Sequence, residues 1–196
     1  MDPKITNISE EGGVYKFTLN GLNVSLANAV RRIILSEIPV VAIKTDTHET
    51  NQCNITINTT RLHNEILKQR LSCIPICMGS DELEILPGKY QLEVDKQNET
   101  DDIDFVTSED FKIKNKTNGN YLTGDETKRI FPPNELTKCY IDFTRLRPKV
   151  GNNIPGEHLK LSADFSISNA KEDPKFNVVS NCTYGFTPDM ARANEE

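Results

Sequence analysis

The chain has 196 residues, of which 36% are hydrophobic and 27% charged, and its formal net charge is −6. This acidic balance argues against an independent nucleic-acid-binding protein, which normally carries a basic surface. No apolar run approaches the roughly 18 residues that a membrane-spanning helix needs, and no basic segment followed by an apolar one suggests a secretory signal. These features favour an intracellular protein that works through contacts with other proteins.

The cysteines are scattered and form no Cys-Xaa-Xaa-Cys pair, which favours a reducing compartment. Cys73 and Cys77 flank Ile-Pro-Ile, but no second pair or nearby histidine completes a tetrahedral metal site. We therefore predict neither a metal ion nor a cofactor. Asn-Xaa-Ser/Thr sequons recur, and without a signal peptide we do not expect them to be glycosylated. They begin at Asn7, Asn23, Asn54, Asn58, Asn98, Asn115 and Asn181.

The first predicted elements are a strand pair and a helix. Residues 1–21 hold two segments with spaced or alternating apolar residues around a glycine turn, which predicts a β-hairpin. Residues 25–37 have helical periodicity, with Ser25 as the predicted N-cap. Pro39 ends this helix, because the residue before a proline is pushed out of the α region.

The first helix has two distinct faces. Apolar side chains on one face predict that it lies in the core, and they include Leu26, Ala29, Val30 and Ile33. The opposite face mixes polar, basic and apolar side chains, which indicates that something anionic or polar covers it. Its members are Asn28, Arg31, Arg32 and Leu35.

Two strands and a second helix follow. The strands are predicted at residues 40–43 and 53–57, and the helix begins at Thr59 or Thr60. The inner face of this helix is formed by Leu62, Ile66, Leu67 and Leu71. Arg70 falls within the same arc, and a buried arginine needs a carboxylate or carbonyl partner.

From residue 80 onward the sequence consists of alternating, strand-like segments separated by loops that contain prolines and glycines. Residues 80–155 are therefore predicted to form a mostly β insertion. Its strands are expected at residues 89–95 and 137–144. Residues 112–128 are polar and predict a loop, with Asn118-Gly119 as a hairpin signal. Residues 159–167 and 177–184 alternate again and are expected to rejoin the first sheet.

Three segments together resemble the assembly subunits of multisubunit DNA-dependent RNA polymerases, a family that comprises bacterial alpha, its archaeal counterpart and the third-largest subunit of eukaryotic RNA polymerase II. Residues 22–43 resemble the α-motif of that family, and residues 58–76 resemble its next block, with the Arg-Leu…Ile-Pro ending. Residues 156–161 and 170–176 resemble a third block. The resemblance implies an α+β fold. A dimerisation lobe, with an antiparallel sheet and two helices, is expected at residues 1–79 and 156–196, and the β-rich insert at 80–155.

The resemblance also implies the function and partners. The chain is expected to be a non-catalytic subunit that supports transcription, pairs with a smaller alpha-like subunit and forms the platform for the second-largest subunit. The apolar faces of both helices then serve as core or dimer surface. Partner contacts are implied for the polar face of the first helix, for Arg70, and for Lys171, Glu172, Lys175 and Phe176. No sequence-specific contact with nucleic acid and no membrane association are expected.

Two other classes of function are weighed against this one. An enzyme would have to use His63, Cys73 and carboxylates brought together by folding in a pocket. A nucleic-acid-binding protein would use Arg31, Arg32, Arg145 and Arg147, against the acidic balance of the chain. The expected location is the nucleus, or the cytoplasm or virion if the source is a large DNA virus.

The last predicted feature is the C-terminal segment. Pro188 and Asp189 are typical of a helix start, and only a few residues follow them. We therefore expect an N-terminal portion of a longer protein, whose remainder supplies a dimerisation helix. That remainder is also a candidate to carry the smaller alpha-like partner in the same chain. The alternative is a naturally short subunit whose partner alone covers the exposed sheet face.

Overall fold

The computed structural model describes residues 2–151 and 153–188. The chain divides into two compact units. Unit 1 comprises residues 1–38 and the segment from residue 177 onward, and unit 2 comprises residues 39–176. Within the described residues, none of the helices combines the length and the apolar character needed to cross a bilayer.

Unit 1 begins with the predicted hairpin. Strand β1 (Lys4–Glu11) pairs antiparallel with β2 (Val14–Asn20). Gly12 and Gly13 connect them with φ angles of 58° and 76°, which glycine adopts without the steric cost of a side chain. Helix α1 (Val24–Ser36) follows, close to the predicted position.

Unit 2 contains most of the secondary structure. Its helices are α2 (Asn64–Ser72) and α3 (Gly124–Ile130). Its strands are β3 (Val40–Ala42), β4 (Cys53–Asn58), β5 (Tyr90–Gln97), β6 (Asp104–Thr107), β7 (Lys112–Asn115), β8 (Asp142–Leu146), β9 (His158–Asp164) and β10 (Ser166–Ser168). Short 3₁₀ turns lie at Ser80–Glu82, Ser108–Asp110 and Pro174–Phe176.

A four-stranded antiparallel sheet organises unit 2, in the order β4-β9-β5-β7. One face of the sheet is buried, because alternate residues of β5 and β9 point into the core. Around that core, the Phe111 ring makes edge-to-face contacts with Phe131 and Phe143, at centroid distances of 5.3 and 5.8 Å. Smaller strand pairs are β3 with β10 and β6 with β8.

The α+β class expected from the sequence is therefore confirmed, with helices on mainly antiparallel sheets. The two compact units separate after residues 38 and 176, and the expected division into a dimerisation lobe and an insert at 79/80 and 155/156 remains a prediction. Strands β4 and β9 were expected in the lobe and β5 and β7 in the insert, yet all four share one sheet. The prolines and glycines of residues 80–155 mark loops within unit 2, whereas Pro39 stands at its start.

The predicted polar loop at residues 112–128 instead contains β7 and α3. Ile113 of β7 is fully buried and pairs with Leu92, so one apolar residue places this short strand at the sheet edge. Helix α3 begins with a capping box, in which Glu126 accepts from the backbone N–H of Thr123 at 2.8 Å and Thr123 accepts from that of Glu126 at 3.4 Å. The Thr-Xaa-Xaa-Glu signal is present in the sequence, so this helix was predictable.

Three other boundaries differ from expectation. Helix α2 begins at Asn64 because the hydroxyl and N–H of Thr60 both bond to the side chain of Asn58, which holds the chain in a turn. The strand expected at residues 137–144 lies later, at β8. No strand forms at 177–184, where the Asn177 amide donates to the carbonyl of Val179 at 3.0 Å, a local bond that competes with strand pairing.

Two Asn-Xaa-Thr turns with the same bonding pattern follow β4 and β5. In each, the asparagine Oδ1 accepts from the threonine N–H and hydroxyl, and its amide donates to a carbonyl four residues on. Asn58 is half-buried, whereas Asn98 is 1% exposed and also donates to the carbonyl of Leu146 at 3.0 Å. These two sequons are thus structural turns.

Candidate partner-binding surfaces

Helix α1 is built from a capped N-terminus and a proline stop. The N-cap is Asn23, whose Oδ1 accepts from the N–H groups of Ser25 and Leu26 at 2.6 and 3.3 Å. The expected cap at Ser25 is therefore wrong, because the asparagine two residues earlier satisfies the free first-turn N–H groups. At the other end, Glu37 donates its N–H to the carbonyl of Ile33 at 2.9 Å.

The apolar face of α1 is exposed. Leu26, Val30 and Ile33 are 46%, 39% and 54% exposed, and no residue of the helix is buried. The expectation that this face lies in the core of the chain is therefore wrong. A helix face is buried only where another layer covers it, and the described residues of unit 1 supply no such layer. The alternative, a dimer surface, remains a prediction.

The opposite face of α1 carries an ordered basic group. The Nε of Arg31 donates to the Oδ1 of Asn28 at 3.1 Å, and both side chains are half-buried. Leu35 is half-buried and Arg32 is exposed. The Asn28 amide orients one guanidinium, and the remaining donors of Arg31 and those of Arg32 suit carboxylate or carbonyl acceptors.

Helix α2 contributes both to the core and to the surface. Leu71 is 1% exposed and Leu62 packs against the core cluster, whereas Ile66 is 36% exposed. Burial is therefore confirmed for Leu71 and only partial for Leu62. Ile66 does not belong to the core of unit 2, and its alternative role in a dimer surface remains a prediction.

Arg70 has the carbonyl partners that the sequence predicted. Its Nε donates to the carbonyl of Phe143 at 2.7 Å and its Nη2 to that of Asp142 at 2.9 Å. The side chain nevertheless remains on the surface. Arg70 therefore joins α2 to β8 within unit 2, and a contact with another subunit would have to use its remaining donors.

The third predicted surface, at residues 171–176, is largely used within unit 2. Glu172 accepts from Lys44 at 2.5 Å and from Ser168 at 2.6 Å. The bond from Lys44 lowers the pKa of the Glu172 carboxyl, with a further contribution from Ser168. Lys171 remains on the surface.

Lys175 and Phe176, from the same predicted surface, are both engaged in unit 2. Lys175 pairs with Asp46 and, at 3.0 Å, with Asp173. Burial acts to lower the pKa of Lys175, but its bonds to these two aspartates outweigh that effect and raise the pKa. Phe176 is 6% exposed, so its ring cannot serve as an exposed partner contact. Sequence reasoning missed Lys44 and Asp46, because nothing local to residues 44–46 signals partners that lie 128 and 129 positions away.

The two residues considered for an enzyme, His63 and Cys73, do not form a shared site. His63 is the N-cap of α2 and makes no side-chain capping bond, and Cys73 follows the C-terminus of the same helix. Within the described ranges, His, Cys, Asp and Glu side chains form no group of three suited to a metal ion. Of the arginines considered for nucleic-acid binding, Arg147 is engaged within unit 2, where it pairs with the buried Glu157 at 2.6 Å.

The fold and these surfaces define a class of protein: an α+β chain whose first helix exposes an apolar face and bears an ordered basic group opposite. Such a chain is typical of a subunit that associates with other proteins. The RNA polymerase Rpb3/Rpb11 dimerisation domain family matches residues 16–180, and the chain belongs to that family.

Several relatives share this similarity over most of the chain. The chain is 28% identical over 197 residues to subunit 3B of DNA-directed RNA polymerases IV and V from Arabidopsis thaliana, covering 92% of this chain and 56% of that protein. It is 26% identical over 188 residues to subunit Rpo3 of the DNA-directed RNA polymerase from Methanosphaera stadtmanae, covering 96% and 62%. It is 31% identical over 121 residues to subunit rpac1 of RNA polymerases I and III from Dictyostelium discoideum, covering 62% and 30%. The chain thus spans less than two thirds of the length of each of these relatives.

Proposed function

We propose that this chain is a non-catalytic assembly subunit of a multisubunit DNA-dependent RNA polymerase. It pairs with a smaller alpha-like subunit, and the pair forms the platform for docking of the second-largest subunit. The observation that carries this proposal is the exposed apolar face of α1, in a chain that belongs to a dimerisation-domain family. The proposed location is intracellular: the nucleus, or the cytoplasm or virion if the source is a large DNA virus.

We assign the apolar face of α1 to the alpha-like partner. Full burial of a Leu, Val or Ile side chain is worth about 1.5–3 kcal/mol. Leu26, Val30 and Ile33 are already about half covered, so a partner that covers the rest gains about 1 kcal/mol from each. Ile33→Ala is therefore expected to weaken pairing while leaving the stability of the isolated chain nearly unchanged. A large loss of stability in the isolated chain would contradict this assignment.

We assign the opposite face of α1 to the second-largest subunit. Arg31, oriented by Asn28, and the exposed Arg32 present cationic donors beside Leu35. Truncating one partner of a charge pair that is desolvated in an interface costs about 2–5 kcal/mol. A charge reversal at these two arginines is thus expected to prevent docking. The second contact surface expected near residue 171 is retained as a proposal for Lys171 and for the exposed part of Glu172.

The test is co-purification of a tagged chain that carries Arg31→Glu and Arg32→Glu. The double variant should fold normally and keep the smaller partner, but it should lose the second-largest subunit. A matched control reverses two exposed arginines of unit 2, Arg61→Glu and Arg145→Glu, and makes the same change in net charge. Normal recovery of both subunits by the α1 variant would refute the assignment of this face.

A further inference from the structure

The two chain ends of unit 2 lie side by side. Strand β3 begins one residue after the start of the unit and pairs antiparallel with β10, with Val40 opposite Ser168 and Ala42 opposite Ser166. Residues 44–46 follow β3, and residues 169–176 follow β10 up to the end of the unit. The two segments are therefore neighbours, although more than 120 positions separate them in sequence.

Two ion pairs of opposite polarity join these segments. In one, Lys44 of the first segment pairs with Glu172 of the second at 2.5 Å. In the other, Asp46 of the first segment pairs with Lys175 of the second. Each segment thus supplies one cation and one anion to the two pairs, so both pairs hold the segments together by attraction.

The second segment is prepared for these pairs by its own bonds. The side chain and carbonyl of Asn169 accept from the N–H of Glu172 at 3.1 and 3.2 Å, which closes the turn. The Lys175 ammonium lies 5.1 Å from the centroid of the Phe176 ring. The Lys175 side chain as a whole is 15% exposed. Phe176 itself is buried and anchors the turn in unit 2.

We propose that residues 44–46 and 169–176 form an ionic latch that holds the last turn of unit 2 in place and fixes where the chain leaves the unit. In each cross-link the carboxylate is about half exposed while the lysine is mostly covered, so salt screens the two pairs in part. The four-stranded sheet is held by backbone ladders over a buried face. Opening of the latch is therefore a local event that releases the turn at 169–176 and leaves the sheet intact.

This inference stands apart from the proposed function, because it needs no partner subunit. It assigns Glu172 and Lys175 to a conformational role within the chain. It also predicts that Lys175, whose side chain is 15% exposed, reaches another protein only when the latch is open.

The test is hydrogen–deuterium exchange on the full chain, with Lys44→Glu as the variant. Loss of the pair with Glu172 and the new repulsion should speed exchange at residues 169–176 about fivefold or more, while β5 and β9 stay unchanged. The charge swap Lys44→Glu with Glu172→Lys should restore the slow exchange. The matched control is Lys160→Glu, which breaks the ion pair of 2.7 Å between Lys160 and Asp95 on the four-stranded sheet. This control should leave exchange at residues 169–176 unchanged.

Unchanged exchange at residues 169–176, an increase shared equally by β5 and β9, or failure of the charge swap to restore protection would each overturn the proposal. If Lys44→Glu does not fold, salt decides the question with the unmodified chain. Raising the ionic strength from about 0.05 to about 0.5 M shortens the screening length severalfold. Hydrogen exchange at residues 169–176 should then become faster, while exchange in β5 stays the same. An equal change in residues 169–176 and in β5 would overturn the proposal.

Discussion

The two Asn-Xaa-Thr turns of unit 2 permit a prediction with an internal control. Asn98→Ala removes the bonds to Thr100 and Asp102 and the buried bond to Leu146. Asn58→Ala removes the equivalent bonds to Thr60 and to a carbonyl four residues on, and a bond of 2.8 Å to the side chain of Asn64, at a half-buried site. The two substitutions remove the same number of side-chain hydrogen bonds and differ mainly in burial.

The expected costs follow from the numbers of bonds and from burial. A hydrogen bond contributes about 0.5–1.5 kcal/mol net, and a buried group left without a partner costs about 1–3 kcal/mol. Asn98 makes four such bonds at 1% exposure, so Asn98→Ala should lower the free energy of unfolding by about 3–4 kcal/mol. At the half-buried Asn58, water can replace the lost bonds, and about 1–2 kcal/mol is expected.

Urea denaturation followed by circular dichroism measures both costs, since the chain has no tryptophan to report by fluorescence. The difference between the two midpoints, at equal denaturant dependence, gives the contribution of the buried site. Equal destabilisation by both substitutions, or a smaller effect at Asn98 than at Asn58, would refute the reasoning.

Three further predictions concern unit 2. Leu71→Ala should lower the free energy of unfolding by about 2–5 kcal/mol, measured by urea denaturation, because Leu71 is 1% exposed. Burial raises the pKa of the Cys53 thiol to about 11, so native protein at pH 8 should leave Cys53 unlabelled by iodoacetamide while exposed Cys139 reacts; equal labelling by mass spectrometry would contradict this. The bond from Lys160 lowers the pKa of Asp95, so the stabilisation it gives is present above the unfolded pKa and lost as pH falls through the folded one. Asp95→Asn should therefore destabilise the chain most at pH 7 and progressively less as the pH falls below 3.8 in thermal melts, and a pH-independent effect would contradict the ion pair.

Much of the fold follows from local patterns in the sequence. The hairpin of unit 1, α1 and strands β3, β4 and β5 lie where hydrophobic period and turn residues predict them. The capping box of α3 was also readable, but the polar composition around it favoured a loop. Where a short segment carries one buried residue, as Ile113 does in β7, the period is too brief to identify a strand.

The surfaces were harder to predict because they depend on what lies opposite. An apolar face such as that of Leu26, Val30 and Ile33 has the same pattern whether it is covered by its own chain or by another protein. The role of Lys175 depends on Asp46, which is distant in sequence and close only after folding. The short helix expected from Pro188 falls on residues that, beyond 188, lie outside the described part of the chain.

The most direct test of the proposed function is affinity purification of the tagged chain from its native cells, with its partners identified by mass spectrometry. An assembly subunit should recover a smaller alpha-like subunit and the second-largest polymerase subunit in fixed ratio, and the latter should be lost with Arg31→Glu and Arg32→Glu. Recovery of the chain alone, or with proteins unrelated to RNA polymerase, would contradict the account.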